Sequence, residues 1–213
     1  MTPIIDIHTH NLEASGALIA VDPRRFDPQP GRYYSVGFHP WHGVGLLTDD
    51  DYALLERCAC HPQVLAIGET GMDRLRGAPL DVQREAFVRH LLLARDLGKP
   101  VVAHCVRTAQ DILTARRGAH LDDVTLIIHG MRGNAHVARL LLDGGCYLSF
   151  GEHFNPAAVS ATPLDRLLIE TDEAPFSIDD VAHQVAATLA ISPQSVITHA
   201  AANASRLLGL KTS

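Results

Sequence analysis

Histidines and carboxylates stand directly behind short apolar runs along much of this 213-residue chain. Asp6-Ile7-His8-Thr9-His10 closes the first run, Gly37-Phe38-His39-Pro40-Trp41-His42 the third and Gly68-Glu69-Thr70-Gly71 the fourth. His104-Cys105 closes the fifth, His129-Gly130 the sixth and Glu170-Thr171-Asp172 the eighth. On an extended strand, residues two apart point to the same side, so His8 and His10 offer two imidazoles to one ion. Asp6 has the same parity one layer lower and is placed to orient an imidazole. A His-x-His pair alone is a weak signal, because a core or surface pair produces it as easily. Joined to Glu69, His104, His129 and Asp172 on other strand ends, it becomes a metal-ligand pattern.

Six such groups exceed what one ion needs. Two ions sharing a carboxylate fit the inventory, and in such sites the metals lie about 3.5–4 Å apart. Glu69 sits at the centre of the strand order and is the expected bridge. His8, His10 and Asp172 complete one ion, since the first and last strands adjoin when a barrel closes; His104 and His129 complete the other. Imidazole with carboxylate accepts Zn, Mn, Fe or Co, so one or two divalent ions of this group are expected. A carboxylated lysine bridge is excluded, because Lys99 enters its strand at the wrong end and Lys211 lies in the tail. Bound ions would supply hydroxide from water at neutral pH. Asp172 is the expected general base, and with Glu69 forms the catalytic pair.

Other polar residues near these strand ends are candidates for substrate contact. Arg107 and Arg132 follow ligand-bearing runs directly and are expected to hold phosphoryl charge, a task suited to the guanidinium fork. His39 and His153 are further candidates. Glu170 shares the parity of Asp172 a layer deeper and is read as a supporting group. His61, His90, His120, His136, His183 and His199 fall in helices or back loops, where solvated or capping roles are the default.

Something must hold these ends together. The apolar runs are Ile4–Ile7, Ala17–Val21, Tyr33–Phe38, Val64–Ile67, Pro100–Ala103, Val124–Ile128, Cys146–Phe150 and Leu167–Ile169, short and apolar as buried parallel strands are. Helical patterns separate most of them: Asp49–Cys60, Val82–Leu97, Thr108–Arg117, Asn134–Leu142, Ile178–Leu189 and Pro193–Leu208, the last broken near Asn203. In Val82–Leu97 the stripe Phe87, Leu91, Ala94, Leu97 marks the buried face, and Gly98-Lys99-Pro100 supplies the stop. Strands alternating with helices predict an α/β fold, a TIM-type (β/α)8 barrel with an abbreviated first helix. Asn11–Gly16 is too short for a helix and Asp22–Arg32 reads as a loop; these economies explain a length below the usual ~250 residues. Residues 1–213 read as one domain.

Composition narrows the function. Of 18 Lys and Arg side chains only Lys99 and Lys211 are lysine, and the net charge is −6. An acidic chain lacks the diffuse positive field that grips long nucleic acid, which argues against a duplex-coating protein. Aromatic residues make up only 5% of the chain, few stacking platforms for a long single strand. The four cysteines show no regular framework and read as reduced, mostly buried thiols. No leader or apolar span is seen, so a cytoplasmic protein with no membrane association and no obligate protein partner is expected.

Asp6-Ile7-His8-Thr9-His10, Gly37-Phe38-His39-Pro40, Gly68-Glu69-Thr70-Gly71-Met72-Asp73, Pro100-Val101-Val102-Ala103-His104, His129-Gly130 and Glu170-Thr171-Asp172-Glu173-Ala174-Pro175 together resemble the TatD family. Asn203-Ala204-Ser205-Arg206-Leu207-Leu208 is similar to that family's closing helix. The resemblance implies a TIM barrel with one or two divalent metals that hydrolyses phosphodiesters, often as a DNA exonuclease. It carries over His8, His10, Glu69, His104, His129 and Asp172 as ligands. The chain departs from the family at His129-Gly130-Met131-Arg132-Gly133, where His-Cys-Phe-Ser-Gly is usual. It departs again at His104-Cys105-Val106-Arg107, where His-Ser-Arg is usual, and it lacks the Asn-Glu-Pro segment after the Glu-Thr-Asp motif. The expected activity is a deoxyribonuclease or phosphodiesterase acting on DNA ends or small phosphodiesters. The alternatives are a metal-dependent hydrolase of a small-metabolite ester, lactone or amide, and a catalytically weak metal-binding barrel.

Overall fold

Eight short parallel strands close into a barrel in the computed structural model, which describes residues 3–210. They are β1 (Asp6–Thr9), β2 (Ala17–Val21), β3 (Tyr33–Val36), β4 (Val64–Asp73), β5 (Val101–Val106), β6 (Leu126–Ile128), β7 (Tyr147–Phe150) and β8 (Leu167–Ile169), hydrogen-bonded in chain order. The helices are α1 (Asp49–Ala59), α2 (Leu80–Leu97), α3 (Ala109–Gly118), α4 (Ala135–Asp143), α5 (Pro156–Ala161), α6 (Ile178–Leu189) and α7 (Pro193–Leu207). This is the TIM-type barrel expected, with no α-helix in either of the first two connections. Between β2 and β3 there is only a short 3-10 turn, Pro23–Arg25. Lys211, placed in the tail by the sequence, lies outside the described residues.

The chain packs as two compact units, residues 20–126 and residues 1–19 with 127–213. In the first, Val36, Phe38, Ile67, Phe87, Leu91, Val101 and Ile112 are fully buried. Each such side chain contributes about 1.5–3 kcal/mol by leaving water. α1 begins at a capping box in which Thr48 and Asp51 satisfy each other's end of the helix. α2 stops at Gly98, whose left-handed backbone closes the final turn.

β4 runs well past the predicted Val64–Ile67, through Glu69 to Asp73. Its register on β5 pairs Ile67 with Val101, Gly71 with His104 and Asp73 with Val106. The two strands come so close that a Cβ at Gly68 or Gly71 would strike the backbone of Val102 or His104, and both glycines have φ of +134°. A Cβ on Gly37 would lie 2.7 Å from the Gly68 Cα and the Glu69 carbonyl oxygen. The glycines flanking Glu69 are therefore packing residues. Lys99 Nζ donates to the carbonyl oxygens of Ala59 and, at 2.6 Å, of Val64, the first residue of β4. That is the end of β4 away from Glu69, as expected for a lysine that cannot bridge metals.

In the other unit Ile7, Leu148, Phe150, Leu168, Ile169, Val185 and Val196 are fully buried. β1 pairs with β8 at Asp6 and Ile169, and an isolated bridge carries the pairing on to Thr9 and Asp172. α7 is continuous rather than broken near Asn203. The Asn203 amide leaves its own helix backbone alone and donates to the Leu164 and Leu167 carbonyls at 2.8 and 2.9 Å, at the entrance to β8. A further helix, α5, was not legible in the sequence. None of the four cysteines is in a disulfide; Cys58 and Cys146 are buried, Cys105 is half-buried and Cys60 is exposed. Among the described residues no helix is long and apolar enough to cross a membrane.

Candidate metal centre

At the end of β1, His8 is fully buried and His10 is exposed. Nε2 of each imidazole lies 3.7 Å from Asp172 Oδ1. That separation is too long for a hydrogen bond and suits ligand atoms each about 2.0–2.2 Å from a shared ion. Asp172 is tied to β1 through its backbone. Its N–H donates to the His8 carbonyl at 2.9 Å, and its own carbonyl accepts the His10 N–H at 3.1 Å and the Thr9 hydroxyl at 3.2 Å. Its φ of 54° is left-handed, a conformation aspartate tolerates better than most residues. The backbone is thereby fixed where its carboxylate can serve both imidazoles.

Asp6 does not orient an imidazole. Its oxygens accept the Thr171 N–H at 3.1 Å, the Thr171 hydroxyl at 2.6 Å and the His8 N–H at 3.3 Å. It buttresses the junction of β1 with the segment after β8. Burial pushes its carboxyl up to about 7, although the Thr171 hydrogen bonds pull the other way.

His129 follows β6, with its ring centroid 4.1 Å from that of His8. Its Nδ1 faces Glu170 Oε1 at 3.4 Å, and that oxygen accepts the Gly130 N–H at 2.6 Å. Glu170 is completely buried. Burial raises its carboxyl, but His129 and His8 outweigh it and hold the group below the usual range. Glu170 stands behind His129 as a support, the part read for it from strand parity.

A cavity of about 350 Å³ opens here, with Glu170, Thr171, Asp172, Arg132, Glu152 and His153 in its lining. Two of the four expected substrate residues, Arg132 and His153, therefore share a cavity with a candidate ligand. His153 is exposed, with Nε2 3.7 Å from Glu152 Oε1.

In residues 20–126 the ligand-bearing groups are Glu69 and His104. His104 Nδ1 lies 3.0 Å from Glu69 Oε1. His39 joins them, with Nε2 2.9 Å from the same Glu69 oxygen. His39, expected as a substrate contact, thus also faces a predicted ligand. Burial lowers its pKa, and the Glu69 carboxylate only partly offsets that. Arg107 follows β5, is exposed and has φ of 55°; its carbonyl accepts the Arg74 Nε–H at 3.1 Å.

Asp73 was missed. It is buried, and its Oδ2 accepts the Trp41 indole N–H at 2.7 Å and faces His104 Nε2 at 3.1 Å. Its position in the Gly68–Asp73 motif was a visible signal. It shares the parity of Glu69, but the strand was read as ending with its apolar stretch at Ile67, whereas β4 stays paired through Asp73.

His90 is the other surprise. It is fully buried in α2, neither solvated nor capping, and its Nε2 accepts the Phe38 N–H at 3.0 Å. Position 90 lies three residues after Phe87 and four before Ala94, on the apolar stripe itself.

Ligand-type atoms of His8, His10 and Asp172 lie within 4.8 Å of one another, as do those of His129, Glu170 and Asp172, and those of His39, Glu69 and His104. Clustered imidazole nitrogens and carboxylate oxygens suit divalent transition metals. The residues present fit such ions.

Residues 26–209 match the family model described as TatD related DNase. A protein of Mycobacterium tuberculosis named as an uncharacterized metal-dependent hydrolase TatD is 39% identical over 157 residues, covering 68% of this chain and 58% of that protein. A Cronobacter turicensis protein named as a 3'-5' ssDNA/RNA exonuclease TatD is 34% identical over 157 residues, covering 68% of this chain and 58% of its own length. The chain thus spans less than two thirds of these relatives. The crystal structure of the TatD homologue YjjV from Escherichia coli superposes with a TM-score of 0.84 at 18% identity, covering 98% of each chain. That likeness is one of fold.

Proposed function

The chain belongs to the TatD family of metal-dependent hydrolases, and from that premise we propose that it is a phosphodiesterase acting on DNA ends or small phosphodiesters. The observation that carries the reading is the cavity whose lining includes Arg132, His153 and Asp172. A guanidinium in the same cavity as a candidate metal-ligand carboxylate suits a phosphoryl group better than a neutral ester. A name given to relatives, 3'-5' ssDNA/RNA exonuclease, points to the same substrate class.

In this reading His8, His10, Glu69, His104, His129 and Asp172 would hold one or two divalent ions. Zn, Mn, Fe and Co are the candidates. When bound, such ions lower the pKa of water toward 7 and offset phosphoryl charge. Asp172 would serve as the general base that accepts a proton from the hydrolytic water. Arg132 steadies the charge that builds on the non-bridging oxygens, with Arg107 as a second cation. Glu170 keeps the His129 ring in place. The acidic balance and low aromatic content favour a substrate held by its end.

A metal-supplemented assay on single-stranded DNA, bis-p-nitrophenyl phosphate and simple esters tests this, with chelated protein and His104→Ala as controls. Turnover of the phosphodiesters alone, lost on chelation, is the expected result. Turnover of esters but not phosphodiesters would refute the substrate class. Metal uptake with no turnover of any of them would refute the enzyme.

A further inference from the structure

We propose that Asp73, clamped by Trp41, is a positioning residue that fixes the tautomer of His104 and leaves Nδ1 as its metal-binding nitrogen. The inference rests on reading His104 as a ligand, and not on which substrate is cleaved.

An indole N–H can only donate, so Asp73 Oδ2 must accept from Trp41 across their 2.7 Å contact. The other oxygen, Oδ1, accepts the Leu75 N–H at 2.7 Å and the Arg76 N–H at 3.2 Å. With donors on both sides the carboxylate is held as a pure acceptor. His104 Nε2, 3.1 Å from that same Oδ2, must then carry a hydrogen. In a neutral ring this puts the lone pair on Nδ1, which faces Glu69 Oε1 at 3.0 Å. Two acceptors that close repel unless a cation or an extra proton lies between them, so the arrangement is built for a cation shared by Nδ1 and the carboxylate.

The clamp is itself held. Arg76 lies over the Trp41 ring, 4.7 Å from its centroid, and the ring centroid stands 5.3 Å from that of His104. Trp41 is the one tryptophan of the chain and is 40% exposed. A large apolar ring left that open is retained here for its N–H.

Asp73→Asn tests the inference sharply. The amide oxygen must still face the Leu75 and Arg76 N–H groups, so its NH2 turns toward Trp41 and His104. Nε2 of His104 then becomes the acceptor, and the hydrogen moves to Nδ1, where it blocks the ion. In full-length protein labelled with 15N-histidine and freed of metal, wild type should show a pyrrole-like Nε2 and a pyridine-like Nδ1 at His104. Asp73→Asn should reverse them. Zn titration against a chelator should show affinity falling about 10–100-fold in Asp73→Asn. In Trp41→Phe, which keeps the ring and removes the N–H, it should fall severalfold. Should Asp73→Asn fail to fold, Trp41→Phe decides alone by the same titration. An unreversed tautomer in Asp73→Asn, or Zn affinity within twofold of wild type in Trp41→Phe, overturns the proposal. Wild-type protein that takes up no Zn overturns it together with the metal reading. Normal uptake without phosphodiester turnover removes the proposed function and leaves this inference standing.

Discussion

The backbone torsion at Asp172 decides where its carboxylate goes. With φ of 54° it sits in a region that costs most side chains about 1–3 kcal/mol, and asparagine tolerates it as aspartate does. Asp172→Asn should therefore keep its melting temperature while turnover falls about 10²–10⁴-fold, the usual contribution of a general base; parallel melting curves and kcat measurements check this. His90 supplies a second residue-scale prediction. Burial lowers its pKa from 6.5 to about 4, so the unfolded chain binds a proton in a range where the folded one does not. The stability this represents is complete above pH 6.5 and is lost as pH falls toward 4, by about 3 kcal/mol in all. Urea unfolding across that window should show the loss in wild type. His90→Leu should lack this part of the pH dependence and be less stable at neutral pH by about 1–3 kcal/mol, because the Phe38 N–H loses its acceptor.

At the scale of elements, β4 and β5 do most to assemble residues 20–126. The missing Cβ atoms at Gly68 and Gly71 let β5 approach, which brings His104 beside both Glu69 and Asp73. Gly71→Ala places a methyl against the His104 backbone at a φ of +134°. It should destabilise the fold by more than about 1 kcal/mol and weaken Zn binding in the same protein. Denaturant titration and a chelator competition read the two effects; a stable variant with unchanged Zn affinity would contradict this account of the motif. The β1–β8 edge works differently, through Asp172 and Asp6 reaching across to β1 and the segment after β8.

For the whole molecule, charge sets how a substrate is met. With a net charge of −6 the field does not attract a polyanion, so under the proposed function capture would fall to single cations such as Arg132 and Arg107. If about two phosphates are engaged, the log of the affinity for single-stranded DNA should fall with log salt at a slope of about −1.4. Binding to a metal-free or non-cleavable substrate across a salt series measures it. A slope of −4 or steeper would mean a long basic track and would sink the end-bound picture.

Strand parity and apolar runs were enough to read the barrel, and the placement of histidines and carboxylates was enough to nominate six candidate ligands. These are properties of spacing along one strand, and spacing is local. Asp73, the buried face of His90, the unbroken α7 and the true length of β4 were decided by neighbours distant in sequence. Asp73 matters because β5 and the segment after β3 bring His104 and Trp41 to the same carboxylate oxygen. Asn203 spares its helix because the carbonyls of Leu164 and Leu167 are there to receive its amide. Which nitrogen of an imidazole holds the hydrogen depends on what stands opposite it, and only packing brings that partner into place.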